Sequence, residues 1–465
     1  MKKILFFFSF VLIALINKAQ VFAVDTLLYN GNVNKRINMV LLADGYAAAQ
    51  QSQFISNATT ISNYLLNTAP FSQYKSYFNV VAVKVISSQS GAKHPGTATD
   101  VSEPVFPVAS VNNYLGSGFD YGGIHRLIVA NNSSAVTSVL AANMPAYDMV
   151  MVIANSTEYG GSGGSYATVS IHSSSSEIAA HEFGHSFAGL ADEYWAGTSY
   201  AAEKPNMTAQ SSSSSVKWSP WVGLNSIGVF PYGSSAPQSQ WFRPHQNCKM
   251  QFLGSAFCAV CKETIIEKIH SLTNPIDAYS PPNTATINAP ATALMFKTTL
   301  LKPLPNTLKR TWKLNNSTVA YNLDSTSINN SAFVSGNNTV SVTVIDTNTL
   351  SKSATHPGLH TFSVVWNVNK SNTGINEINN IVAVTSFPNP ANDKLNIQYS
   401  LQSPSAVGFN LINTEGKRVK TIRSEQKGLG EYEQQIDLSD LPEGIYFLQV
   451  LMDKRVILDK ILVTR

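Results

Sequence analysis

Between His181 and Trp195 the chain reads HEFGHSFAGLADEYW. On a helix, His181 and His185 stand one turn apart, about 6 Å along the axis and on one face. Two imidazole nitrogens so placed converge on one ion at about 2.0–2.1 Å, and zinc is the expected metal. Glu182, next along the helix, is within reach of a water at that ion and is the candidate general base, returning the proton to a leaving amine. With nine His and 14 Glu among 465 residues, H-E-x-x-H arises by chance roughly 0.005 times per chain, so a coincidental helix is set aside. A catalytic zinc site has three protein ligands and one open position. Gly189 can adopt the left-handed conformation that ends a helix. Asp192, three residues further on, is then the favoured third ligand. Glu193 is the alternative, with the other carboxylate of the pair orienting a histidine N–H. The isolated histidines His94, His245 and His270 are read as solvated or hydrogen-bonded.

A helix carrying such a site needs a scaffold. Arg36–Leu42 (RINMVLL) reads as a buried strand closed by the turn Asp44-Gly45. Ala47–Asn67 reads as a helix, with Phe54, Ile55, Ile61, Leu65 and Leu66 near a 3.6 period. Phe78–Ile86, His125–Ala130 and Asp148–Ala154 are further strands. The alternation predicts a mixed α/β sheet. Gly-rich YGGSGG (159–164) lacks the phosphate-loop pattern and is expected to be a flexible rim beside a cleft. Residues 165–172 alternate at period 2 and suit a sheet edge. Ser174 and Glu177 form a possible capping box for the His181 helix. Residues 195–247 look loop-rich, and Ala259–Leu272 reads as a closing amphipathic helix.

The balance of the chain bounds its setting. Charged residues are 13% and the net charge is +4, too weak and unclustered for nucleic acid or an anionic membrane. Lys2 and Lys3 precede the apolar run Ile4–Ile16, and Val21 and Ala23 offer a small-x-small cleavage site. Residues 1–23 are therefore expected to be a signal peptide, with no integral membrane segment after its removal. Cys248, Cys258 and Cys261 are the three cysteines. A single C-x-x-C is a weak metal-knuckle signal, and a structural bridge or buried thiols are expected instead.

Pro281-Pro282 opens a different composition. Residues 278–369 carry short β-rich segments such as NTVSVTVID and HTFSVVWNV, which predict an immunoglobulin-like β-sandwich. Residues 370–384 read as a linker, and 385–465 as a last small β-sandwich.

HEFGH followed by Gly189-x-x-Asp192 resembles the metzincin zinc peptidases, with three rather than two residues between His185 and the glycine. The longer form, H-E-x-x-H-x-x-x-x-L-x-D-E-Y, is similar to the IgA-peptidase family of metallopeptidases, the metzincin-like family sixty-four. LADGY (42–46), PFSQYKSYFNV (70–80), YGGSGG, CKM (248–250) and FCAVC (257–261) match that family too. The resemblance implies a metzincin-like α/β (α+β) catalytic domain over 24–275, with Met250 as the Met-turn residue forming an apolar floor under the metal. Phe252 stands where some metzincins have an assisting tyrosine; Tyr194 is a substitute. Residues 165–172 would then be the rim strand for an extended peptide. FPNPANDKLNI (387–397), NTEGKRV (413–419), the 440–450 stretch and the terminal KILVTR resemble the type A sorting domain of the type IX secretion system, implying export to the outer surface or beyond.

These readings predict a secreted or cell-surface zinc endopeptidase acting on a protein or peptide, handled by the type IX machinery and monomeric. The alternative is a non-catalytic surface adhesin or glycan-binding protein with a structural metal site.

Overall fold

The computed structural model describes residues 20–352, 356–371, 381–452 and 455–465. Most of the expected signal segment, and 372–380 of the expected linker, lie outside these residues. Among the described residues, no helix is long and apolar enough to cross a membrane.

The N-terminal region is mixed α/β. Its strands are β1 (Val24–Leu28), β2 (Ile37–Asp44), β3 (Phe78–Val83), β4 (Ser117–Gly118), β5 (Val129–Ala130), β6 (Met149–Ala154), β7 (Gly161–Ser162) and β8 (Ala167–Val169). Six of them form one sheet in the order β1-β3-β2-β6-β8-β7. The inner pairs β3–β2, β2–β6 and β6–β8 are parallel, and both outer pairs are antiparallel. Every residue of β2, β3 and β6 is buried. Such strands are covered on both faces, which is why they read as continuous apolar runs. The predicted strand at His125–Ala130 shrinks to β5, which pairs only with β4.

Helix α1 (Gln51–Asn67) buries Phe54, Ala58, Ile61 and Leu65, the stripe that its 3.6 period predicts. It packs on α3 (Ser175–Ala188), which also packs on α4 (Ala259–Leu272); α2 (Ser133–Asn143) lies between β5 and β6 in sequence. The α4 bounds match the sequence reading. The expected capping box does not form: Ser174 makes no side-chain cap, and Glu177 instead pairs with Lys249 and accepts from Tyr64 and the Gly254 N–H. A buried lysine and a phenol outcompete a local cap. The predicted edge role of 165–172 is also corrected. The outer edge of β8 is covered by β7 through Val169↔Gly161 and Thr168↔Ser162, so the glycine loop itself is the last strand.

By its contacts the chain divides into two units: residues 1–287, 295–327 and 338–368, and residues 288–294, 328–337 and 369–465. In the first, β-rich chain follows the α/β region. Leu308–Leu314 pairs with Gly336–Asp346 and with Ser317–Tyr321, and Trp312 stacks on Trp366 at 5.9 Å. This β-rich part is joined to the α/β part by Arg36 on Asp277 (2.7 and 3.1 Å) and by Tyr74 and His270 on Asp346. The second unit ends in a three-stranded and a four-stranded antiparallel sheet. Their alternating residues Leu395, Ile397, Phe409, Leu411, Leu448 and Ile461 form a core of their own.

Candidate metal and catalytic centre

Helix α3 ends at Gly189, whose φ is 65°. Its N–H donates to the His185 carbonyl at 2.9 Å. That left-handed residue turns the chain back beside the helix and brings Asp192 to the histidines. His181 Nε2 and His185 Nε2 lie 3.2 Å apart. Asp192 Oδ1 is 3.0 Å from the first and 3.2 Å from the second. Three donors at about 2.0–2.1 Å from a tetrahedral zinc would be separated by about 3.3 Å, so this triangle fits the ion with slight opening. Both Nδ1 atoms are engaged by main-chain carbonyls: His181 with Lys249 at 2.9 Å and His185 with Leu190 at 2.7 Å. Protons held on Nδ1 leave both Nε2 lone pairs directed at the shared point.

Asp192 and Glu193 part company. Glu193 is buried; its N–H donates to the Met250 carbonyl at 2.7 Å, and its side chain takes bonds from Asn206 and Cys261. It therefore lies with the cysteines rather than with the histidines. All three cysteines are buried free thiols, the second of the two expected alternatives, and they form no bridge among the described residues. Met250 is fully buried beneath α3, and Phe252 is half exposed.

Glu182, His181, His185, Asp192, Tyr194 and Arg126 line one cleft of about 740 Å³. Burial raises the Glu182 carboxyl above its usual range, opposed by the facing imidazoles. Burial, then the Asp192 carboxylate, raise the Tyr194 phenol. Arg126 donates to its hydroxyl at 3.2 Å and stacks over its ring. Arg126 escaped the sequence reading: it sits outside the motif, on the segment before β5, and nothing local marks it. The glycine loop proves close-packed rather than a flexible rim. A Cβ on Gly161 would fall 2.3 Å from Ile178 and 3.1 Å from Glu182 Oε1, and one on Gly163 would fall 2.6 Å from the His185 Cβ. The glycines let backbone lie against the helix that holds the site.

His94 and His270 are buried on carboxylates, His94 beside Glu158 at 3.2 Å and His270 on Asp346 at 2.8 Å. The hydrogen-bonded reading holds for His270.

The His-Glu-His helix and its cleft lie within a stretch of sequence that matches a known family. Residues 26–231 match the IgA Peptidase M64 family, and residues 385–464 match the secretion system C-terminal sorting domain. Residues 26–231 are thus similar to the M64 peptidases, and the sorting tail at 385–464 directs the chain through type IX secretion to the cell surface or outside. None of the curated proteins compared matches it. Solved structures with partial similarity include dimeric latent PorU from Porphyromonas gingivalis, at 13% identity over 40% of this chain and 20% of that one, with a TM-score of 0.20. A Parabacteroides merdae β-glucuronidase shares 10% identity over 49% and 29%, TM-score 0.18. Fibronectin(III)-like modules of Clostridium thermocellum CbhA share 13% over 40% and 92%, TM-score 0.18. The chain spans about a fifth of PorU and under a third of the glucuronidase.

Proposed function

We propose that this protein is a zinc endopeptidase that cleaves protein or peptide substrates in the cleft beside α3. The observation that carries the reading is the converging triad of His181, His185 and Asp192, with each Nδ1 tied to a carbonyl and one side open to the cleft. Zinc bound there supplies Lewis-acid polarisation of a scissile carbonyl and acidifies a nearby water. His181, His185 and Asp192 are the ligands, and Glu193 is kept from the role by its bonds to Asn206 and Cys261.

Glu182 is the general base. It lines the cleft beside the triad, where it takes a proton from the attacking water and delivers it to the leaving nitrogen. Tyr194 is kept protonated by burial and the Asp192 carboxylate, and is oriented by Arg126. It donates a hydrogen bond to the oxyanion that develops on the carbonyl. Met250 is the apolar floor of a metzincin-like domain spanning 24–275. An immunoglobulin-like sandwich follows over 278–369, then the linker 370–384 and the sorting domain 385–465, the whole acting as a monomer. The Gly161 N–H is taken by the Arg126 carbonyl at 3.2 Å, so an extended substrate lies along the cleft lined by Ser162 and Gly163 rather than pairing with 165–172.

Glu182→Ala tests the mechanism. The variant is expected to fold and keep its zinc while losing hydrolysis of a peptide library. Turnover at the wild-type rate would overturn the assignment, and metal analysis finding no zinc in the mature protein would favour a non-catalytic surface protein.

A further inference from the structure

Beneath the cleft, four side chains that the hydrolytic reading leaves unused converge in the core. Cys248 lies just before Met250, Cys258 is the N-cap of α4, and Cys261 is in its first turn. Glu193 meets them from the other side. Cys248 Sγ and Cys261 Sγ are 3.7 Å apart. Glu193 Oε1 is 3.2 Å from Cys261 Sγ and 3.8 Å from Cys258 Sγ. One ligand atom from each residue lies within 4.8 Å of every other.

Neither ordinary explanation fits. A disulfide needs sulfurs at about 2.05 Å, and three thiols leave one over. A hydrophobic core does not account for a carboxylate with zero exposure, whose Oε2 has no hydrogen-bond partner. Leaving one oxygen of a buried carboxylate without a partner is costly. A tetrahedral zinc with bonds of about 2.3 Å to sulfur and about 2.0 Å to oxygen separates two sulfurs by about 3.75 Å and a sulfur from an oxygen by about 3.5 Å. The sulfur pair meets the first value, and the two sulfur–oxygen distances bracket the second.

We propose that Glu193, Cys248, Cys258 and Cys261 bind a second zinc ion, in a closed structural site with four protein ligands. The proposal does not depend on the catalytic reading. Binding displaces the three thiol protons to solvent and leaves a net charge of −2 on the assembly. The surroundings suit that charge. The Cys258 N–H donates to Cys248 Sγ at 3.3 Å, and the N-terminus of α4, a 14-residue helix, points at the group. Asn206 donates to Glu193 Oε1 at 3.1 Å, and the Arg243 guanidinium is bonded to the Glu193 carbonyl. The ion would tie together the chain that carries Asp192, the Met250 turn and the start of α4.

The test is zinc content and zinc X-ray absorption of the full-length purified protein. The expected result is about two zinc ions per chain with sulfur scattering at about 2.3 Å. In His181→Ala/His185→Ala, one ion is lost and the sulfur scattering stays. Cys261→Ser loses the sulfur-bound ion. If that variant does not fold, the wild-type absorption edge decides alone. Zinc bound only by nitrogen and oxygen, or a native mass two hydrogens lighter from a disulfide, overturns the proposal. A single zinc with sulfur scattering upholds it while removing the hydrolytic site, so the two readings fail separately.

Discussion

Gly184 and Met250 are in contact so close that a Cβ at position 184 would force the methionine to shift. A Cβ there would lie 2.8 Å from Met250 Sδ and 3.3 Å from a ring carbon of Phe257. The glycine inside HEFGH therefore lets the helix that carries His181 and His185 settle on the methionine turn. Because Lys249 O also holds His181 Nδ1, pushing the turn away moves a histidine as well. Gly184→Ala is expected to cost about 1–3 kcal/mol of stability by overpacking and to lower hydrolysis. In the double variant with Met250→Ala, part of the loss should return. Thermal melts and kcat/KM of the four proteins check this, and strictly additive effects would sink the contact as the cause.

Asp192 and Glu193 are neighbours with opposite assignments. Asp192→Ala is expected to remove the zinc bound without sulfur and to abolish hydrolysis. Glu193→Gln should keep that ion. Metal analysis and X-ray absorption on both variants separate the two residues, and retention of the ion in Asp192→Ala defeats the ligand assignment.

The extent to which this site was legible follows from periodicity. His181, Glu182 and His185 lie on a helix, where spacing alone sets the face, and the Gly189 turn has one conformational cause. The buried strands β2, β3 and β6 announced themselves as apolar runs. Beyond Gly189 no period applies. Whether Asp192 or Glu193 turns toward the histidines depends on the distant Asn206 and Cys261, which sequence does not bring together. The same holds for YGGSGG. Glycine marks both flexible chain and close backbone approach, and only the neighbours Ile178, Glu182 and His185 decide between them.

Tyr194 offers its hydroxyl with Arg126 behind it. If it stabilises the oxyanion, Tyr194→Phe should lower kcat by about 10²-fold and leave KM nearly unchanged, as loss of one oxyanion donor does elsewhere. Arg126→Ala should cost less, since it acts by orienting the phenol. Steady-state kinetics on one peptide substrate checks both. A loss confined to KM would make Tyr194 a substrate-binding residue instead.

Asp346 carries the pH dependence of the junction between the α/β part and the β-rich part that follows it. It is fully buried and accepts from His270 Nε2 at 2.8 Å, Thr307 Oγ1 at 2.5 Å and Tyr74 OH at 2.5 Å. Burial pushes its carboxyl up, but those hydrogen bonds and the imidazole outweigh burial and hold it well below the usual carboxylate range. A folded pKa below the unfolded value of about 3.9 means that folding favours the ionised form. Its contribution is fully present above about pH 5 and is lost as the pH falls through the unfolded value toward the depressed one. Asp346→Asn removes this contribution and leaves His270 without its carboxylate. At pH 7 the variant is expected to be less stable by about 1–3 kcal/mol, the cost of leaving buried donors without their carboxylate partner. The gap should narrow steadily between about pH 5 and pH 2, because the wild type there forfeits what the variant never had. Urea unfolding of both proteins across that range measures it, and a gap that stays constant with pH would show that the carboxylate is not held ionised by the fold.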